Sequence, residues 1–142
     1  MVHSTLPTTS LHITPLQTRF AVGHCAHNAQ IILTAAHALV HDCPAGYTPI
    51  LVTPELALIG YPPDDLLLRQ DTPARVQAAL EQLRSQLPPQ LWVIVGTPHY
   101  PDPQNTHHIY NSAVVFHGGQ MVATYHKQQL ANYGVFDEKR HF

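Results

Sequence analysis

An α/β fold with helices packed on a mixed β-sheet is predicted by three features of this sequence. Two short runs of contiguous apolar residues, 48–53 and 91–96, read as buried strands. Two stretches of 3.6-residue apolar periodicity, 28–42 and the segment after Thr72, alternate with them. Two β-type runs then flank Gly118-Gly119. The order β, α, β, α, β, β, β is that of helices laid against a mixed sheet.

Each element has its own signals. Residues 1–10 are small, polar and Pro-containing and read as a flexible leader to one domain over residues 11–142. Residues 11–17 form a first strand through Leu11, Ile13 and Leu16, and Pro15, which cannot donate to a ladder, restricts it to a sheet edge or a bulge. In residues 28–42, Ile32, Ala35, Ala36 and Leu39 fall on one helical face, Asn28 is available as N-cap, and Pro44 and Gly46 stop the helix. The contiguous Ile50, Leu51 and Val52 read as a strand covered on both faces. A second helix takes Thr72 as N-cap and Pro73 at its first position, buries Val76, Leu80, Leu83 and Leu87, and ends at Pro88-Pro89. Residues 91–96 repeat the buried-strand pattern, and 109–116 with 121–126 form a hairpin through His117-Gly118-Gly119-Gln120.

A chain of 142 residues supports one core rather than two. The 44% hydrophobic fraction and net charge of -2 describe a globular protein without the basic surface that phosphate backbones require, so nucleic acid is disfavoured as a partner. No apolar run has the length of a membrane span or the make-up of a signal peptide, and two cysteines do not make a disulfide framework; a cytoplasmic setting is the expectation.

Three local signals have bland readings that outweigh the chemical ones. Cys25, His27, His41 and Cys43 hold zinc-ligand types, but a helix over 28–42 sets its ends about 20 Å apart, too far for one tetrahedral ion; no metal site is expected. Gly118-Gly119-Gln120 matches the tripeptide of peptide-release factors but sits in a hairpin turn of a slightly acidic chain. Asp64-Asp65 follows Pro62-Pro63 and suits the start of a short helix.

Two residues are harder to dismiss. Glu55 directly follows an apolar strand, at the C-terminal sheet edge where α/β proteins place ligand crevices. Lys127 follows the run 121–126 in the same way, within a C-terminal stretch dense in ionisable groups. Glu55 could equally cap or pair with a helix, and the two together could form a structural ion pair.

The stretches TPELALIGYPPDDLLLR (53–69) and YHKQQLANYGVFDEKRHF (125–142) resemble the nitrilase-type, or carbon-nitrogen hydrolase, glutaminase domain of bacterial glutamine-dependent NAD+ synthetases, and the likeness extends over residues 11–142. The resemblance implies part of an α-β-β-α sandwich and a Glu, Lys, Cys catalytic set, with Glu55 as general base and Lys127 as the cation beside the oxyanion. It also implies that Tyr133 contacts glutamine, that Tyr61, Phe136 and Glu138 line the same pocket, and that Glu138 orients Lys127 or faces the substrate amino group. Glutamine would be the substrate, and deamido-NAD+, ATP and Mg2+ would belong to a synthetase domain of a longer, homo-oligomeric protein.

The sequence departs from that family where His24 replaces an aspartate and where Pro15 interrupts the first strand. The family's nucleophilic cysteine follows the DEKR segment and is not among these 142 residues, so this chain alone is expected to be inactive. Two other readings stay open: a non-catalytic binding module, and another amidase of the superfamily.

Overall fold

A computed structural model describes residues 10–134 and 136–142. Ser10 already belongs to a strand; the rest of the expected leader lies outside the described residues. One five-stranded sheet runs in the order β1 (Ser10–Pro15), β2 (Tyr47–Val52), β3 (Trp92–His99), β4 (Tyr110–His117) and β5 (Gln120–His126). β1, β2 and β3 are parallel, and β3, β4 and β5 antiparallel. The sheet is therefore mixed, and β1 with its Pro15 lies at the edge, where a missing N–H leaves no central ladder broken.

The parallel strands are joined through α1 (Cys25–Asp42) and α2 (Thr72–Gln86). Ile32, Leu33, Ala36 and Leu39 of α1 and Val76, Ala79, Leu80 and Leu83 of α2 pack with Leu51, Val93, Val95, Val114 and Phe116 of the sheet. Side chains of this size contribute roughly 1.5–3 kcal/mol each when removed from water, so this layer dominates the stability of the fold.

Three local expectations need correction. α1 starts at Cys25, and Asn28 is buried inside it rather than capping it. The Asn28 side chain accepts from the Ala21 N–H (2.9 Å) and donates to the Ala21 and Leu58 carbonyls (2.8 and 3.1 Å), pinning two loops to the helix. Thr72 likewise makes no cap: its hydroxyl donates to the Leu66 carbonyl at 2.6 Å, and Asp71 occupies the N-cap position. The two apolar strands, finally, are covered on one face only among the described residues. Leu51, Val93 and Val95 meet the helices, whereas Ile50, Val52, Trp92 and Ile94 on the outer face stay half-buried.

α1 runs from Cys25 to Asp42, so the Cys25/His27 and His41/Cys43 pairs stand at its opposite ends. Gly118 and Gly119 take φ of 59° and 72°, the left-handed conformation of a two-residue hairpin turn. Asp64–Leu68 forms a single 3-10 turn, as does Glu138–Arg140. No helix among the described residues is long and apolar enough to cross a membrane.

Candidate active site

The site begins with how β2 ends. Thr53 continues the strand by donating its N–H to the Ile94 carbonyl (2.9 Å), and its hydroxyl accepts the Gly96 N–H at 3.0 Å. The chain then turns through Pro54 and Glu55 directly over β3. Gly96 makes that crossing possible, because a Cβ there would stand 2.3 Å from the Pro54 carbonyl oxygen and 2.6 Å from the Leu56 nitrogen. Leu56 completes the turn with φ of 52°, a left-handed conformation unusual for a branched side chain and of the kind that gathers at functional sites. Leu56, Leu58 and Ile59 are then buried, so the strained turn is fixed by core packing.

Lys127 is placed by β5. Its N–H donates to the Asn111 carbonyl at 2.8 Å, extending the β4–β5 ladder by one residue, and its side chain crosses toward the end of β2. The ammonium donates to Glu55 Oε1 at 2.7 Å and to Glu138 Oε1 at 2.9 Å. The two carboxylates and the cation named from the sequence thus form one cluster, although 72 residues separate Glu55 from Lys127.

Glu138 is the buried member, 7% exposed. Its second oxygen accepts the Ala131 N–H at 2.6 Å, and its own N–H returns to the Ala131 carbonyl at 3.0 Å. Burial disfavours the charged Lys127, but hydrogen bonds to Glu55 and Glu138 and their negative charge outweigh it and raise its pKa above the ordinary lysine value. The Tyr61 hydroxyl is also pushed up, first by burial and then by the charges of Glu138 and Glu55.

Two concavities meet at this cluster. Tyr61, Phe136 and Glu138 line the first, a cavity of about 310 Å³ that also involves Leu56, Pro62, Arg140 and His141. Glu55, Lys127 and Asn111 line the second, an open trough of about 330 Å³ on the outer sheet face floored by Val52, Ile94 and Tyr125. The Lys127–Glu138 hydrogen bond joins their walls. Tyr133 is 71% exposed and lies outside the lining of both; it meets Phe136 through an edge-on ring contact at 5.6 Å, and its carbonyl accepts the Phe136 backbone N–H at 3.0 Å.

Neither cysteine belongs to this cluster. Cys25 is buried at the start of α1, where burial pushes its thiol pKa up and away from nucleophilic form. The Cys43 thiol contacts the carbonyl of Tyr47, at the beginning of β2, while Glu55 lies past its end, about 20 Å away along a six-residue strand.

Sequence reasoning missed Thr53, Gly96 and Asn111. An asparagine between Tyr110 and Ser112, inside a strand where such a residue is unfavourable, was a signal of a specific partner. Its amide group donates to Glu55 Oε1.

Comparison with known proteins agrees with the fold. The carbon-nitrogen hydrolase family model matches residues 22–142. Glutamine-dependent NAD(+) synthetase of Synechocystis sp. is 40% identical over 124 residues, covering 85% of this chain and 22% of the relative. The synthetase of Xanthomonas campestris is 35% identical over all 142 residues, or 24% of its own length. The chain thus spans less than a quarter of the length of these relatives. The structure of glutamine-dependent NAD+ synthetase from Acinetobacter baumannii in complex with ADP superposes with a TM-score of 0.77 at 33% identity, covering 89% of this chain and 22% of that one. An amidase from Nesterenkonia sp. shares the fold at 22% identity and a TM-score of 0.72, with 96% of this chain and 49% of the other covered. The mixed sheet, its helices and the matched sequence together make this chain a member of the carbon-nitrogen hydrolase family.

Proposed function

We propose that this chain carries the glutamine-binding and base-and-cation part of a glutamine amide hydrolase, one that supplies ammonia to an NAD+ synthetase. The observation that carries the reading is the Lys127 ammonium shared between Glu55 and Glu138 where two concavities meet. Amide hydrolysis needs a base to take the nucleophile's proton and a fixed cation where the tetrahedral oxyanion develops. Glu55 is the base and Lys127 the cation in this reading. Glu138, held by Ala131, orients Lys127. Tyr61 and Phe136 form the walls against which the glutamine side chain packs, and Tyr133 covers Phe136 from outside.

The likeness to glutamine-dependent synthetases supports glutamine over other amides. Amidation of deamido-NAD+, with its ATP and Mg2+, belongs to other parts of such proteins; no step assigned to the residues here runs through those groups. A homo-oligomeric, cytoplasmic full-length protein goes with the same reading.

Because neither cysteine here reaches Glu55, the purified chain is expected to bind glutamine without releasing ammonia. Titration with glutamine, followed by amide shifts of Tyr61, Lys127 and Glu138, checks the binding, and coupled ammonia detection checks the turnover. Shifts confined to these residues and weaker with glutamate support the reading. The absence of any shift at millimolar glutamine, or ammonia release that survives Lys127→Ala, overturns it.

A further inference from the structure

We infer that Asn111 is a positioning residue that fixes which oxygen of Glu55 handles the proton. It rests on the reading of Glu55 as the base, and three observations support it. Asn111 is 4% exposed, on the outer-face side of β4, and its amide donates to Glu55 Oε1, the same oxygen that accepts from the Lys127 ammonium. Its backbone carbonyl accepts the Lys127 N–H at 2.8 Å. One residue therefore ties both members of the pair, one through its side chain and the other through its main chain.

The consequence for Glu55 is a division of labour. Oε1 carries two donors, and among the described residues Oε2 carries none. A carboxylate held on one oxygen by two donors cannot rotate without breaking both bonds. Oε2 is left as the oxygen that accepts the proton released by the attacking group, while Oε1 keeps its bonds to Lys127 and Asn111. Without Asn111 the carboxylate is held, among the described residues, by the flexible lysine alone, and it is free to swing into the open trough.

The clamp is also built into the strand. Asn111 stands opposite Pro98 of β3, which lacks an N–H, while its carbonyl points to the β5 side and takes Lys127. The register that brings Asn111 beneath Glu55 thus also sets the height of Lys127.

Nuclear magnetic resonance titration of this chain tests the inference without substrate, so its outcome is separate from that of the glutamine experiment. In the unmodified chain the side-chain amide protons of Asn111 are expected to shift as Glu55 takes up a proton, and to stay flat in Glu55→Gln. In Asn111→Leu the Lys127 ammonium is expected to titrate at lower pH than in the unmodified chain, because one of its two anionic partners is no longer held. A flat Asn111 amide in the unmodified chain overturns the clamp. So does a folded Asn111→Leu chain whose Lys127 titrates unchanged while Glu55→Gln lowers it. The first measurement uses no substitution at Asn111 and stands even where Asn111→Leu does not fold.

Discussion

Lys127 with its two carboxylates differs from an ordinary surface ion pair, because Glu138 is buried and fully engaged. Replacing Glu138 by Gln removes the charge while keeping the shape. Hydrogen bonds to charged groups contribute roughly 1.5–3 kcal/mol each, so Glu138→Gln is expected to destabilise the chain by about that amount in denaturant unfolding. The sign of the pH dependence follows from Lys127. Its folded pKa lies above the ordinary 10.5, so its stabilisation is complete below that value and is lost as pH rises through the raised one. Unfolding followed from pH 9 to 12 should show this loss, and the Glu138→Gln chain should show less of it. At this scale the sequence was legible where a charged side chain directly followed an apolar strand, as at Glu55 and Lys127. It was opaque at Asn111 and Asn28, because a polar side chain whose partner is distant in sequence looks the same as one in a turn or at a helix cap.

Among the elements, the β2–β3 crossing carries the most information. Gly96 lies in the middle of a strand, where glycine costs stability, and it is there because the Pro54-Glu55-Leu56 turn rests on its backbone. A methyl group at that point meets main-chain atoms rather than a side chain that could rotate away. Gly96→Ala is therefore expected to cost at least about 1–3 kcal/mol by overpacking and to displace Glu55 from Lys127. Thermal melts and the Lys127 titration would register the two effects separately; an alanine variant as stable as the parent would contradict the crossing described here. The helices and the Gly118-Gly119 hairpin were legible because periodicity and turn chemistry are local. The start of α1 was not, since it depends on Asn28 finding Ala21 and Leu58.

For the whole molecule, the decisive feature is that the helices cover one face of the sheet. On the other, Ile13 of β1 and Tyr125 of β5 are well exposed, and Val52, Ile94 and Val115 between them are only half-buried. Continuous apolar area of this kind, ending on an unpaired edge strand, drives association. The chain is expected to self-associate at micromolar concentration, and Ile13→Lys with Tyr125→Lys to shift it toward monomer in sedimentation velocity. A monodisperse parent would count against this. Two runs of contiguous apolar residues implied strands buried on both faces; within the described residues only one face is covered, and apolar composition alone does not say what supplies the other cover.

The sequence by itself determined the kinds of element, their order, the hairpin turn, the restriction of the first strand to an edge or a bulge by Pro15, and the two charged residues at strand ends. These follow from local rules, the steric limits of the backbone and the period of apolar residues, which act over a few positions. Only the tertiary structure decided that Glu55, Lys127 and Glu138 share hydrogen bonds, that Gly96 lets the turn approach, that Tyr133 lies outside the cavity, and that Asn111 holds both ends of the pair. Those are matters of strand register and of packing between segments far apart in the chain. A distance of 2.7 Å between side chains 72 residues apart is set by the whole sheet rather than by either neighbourhood.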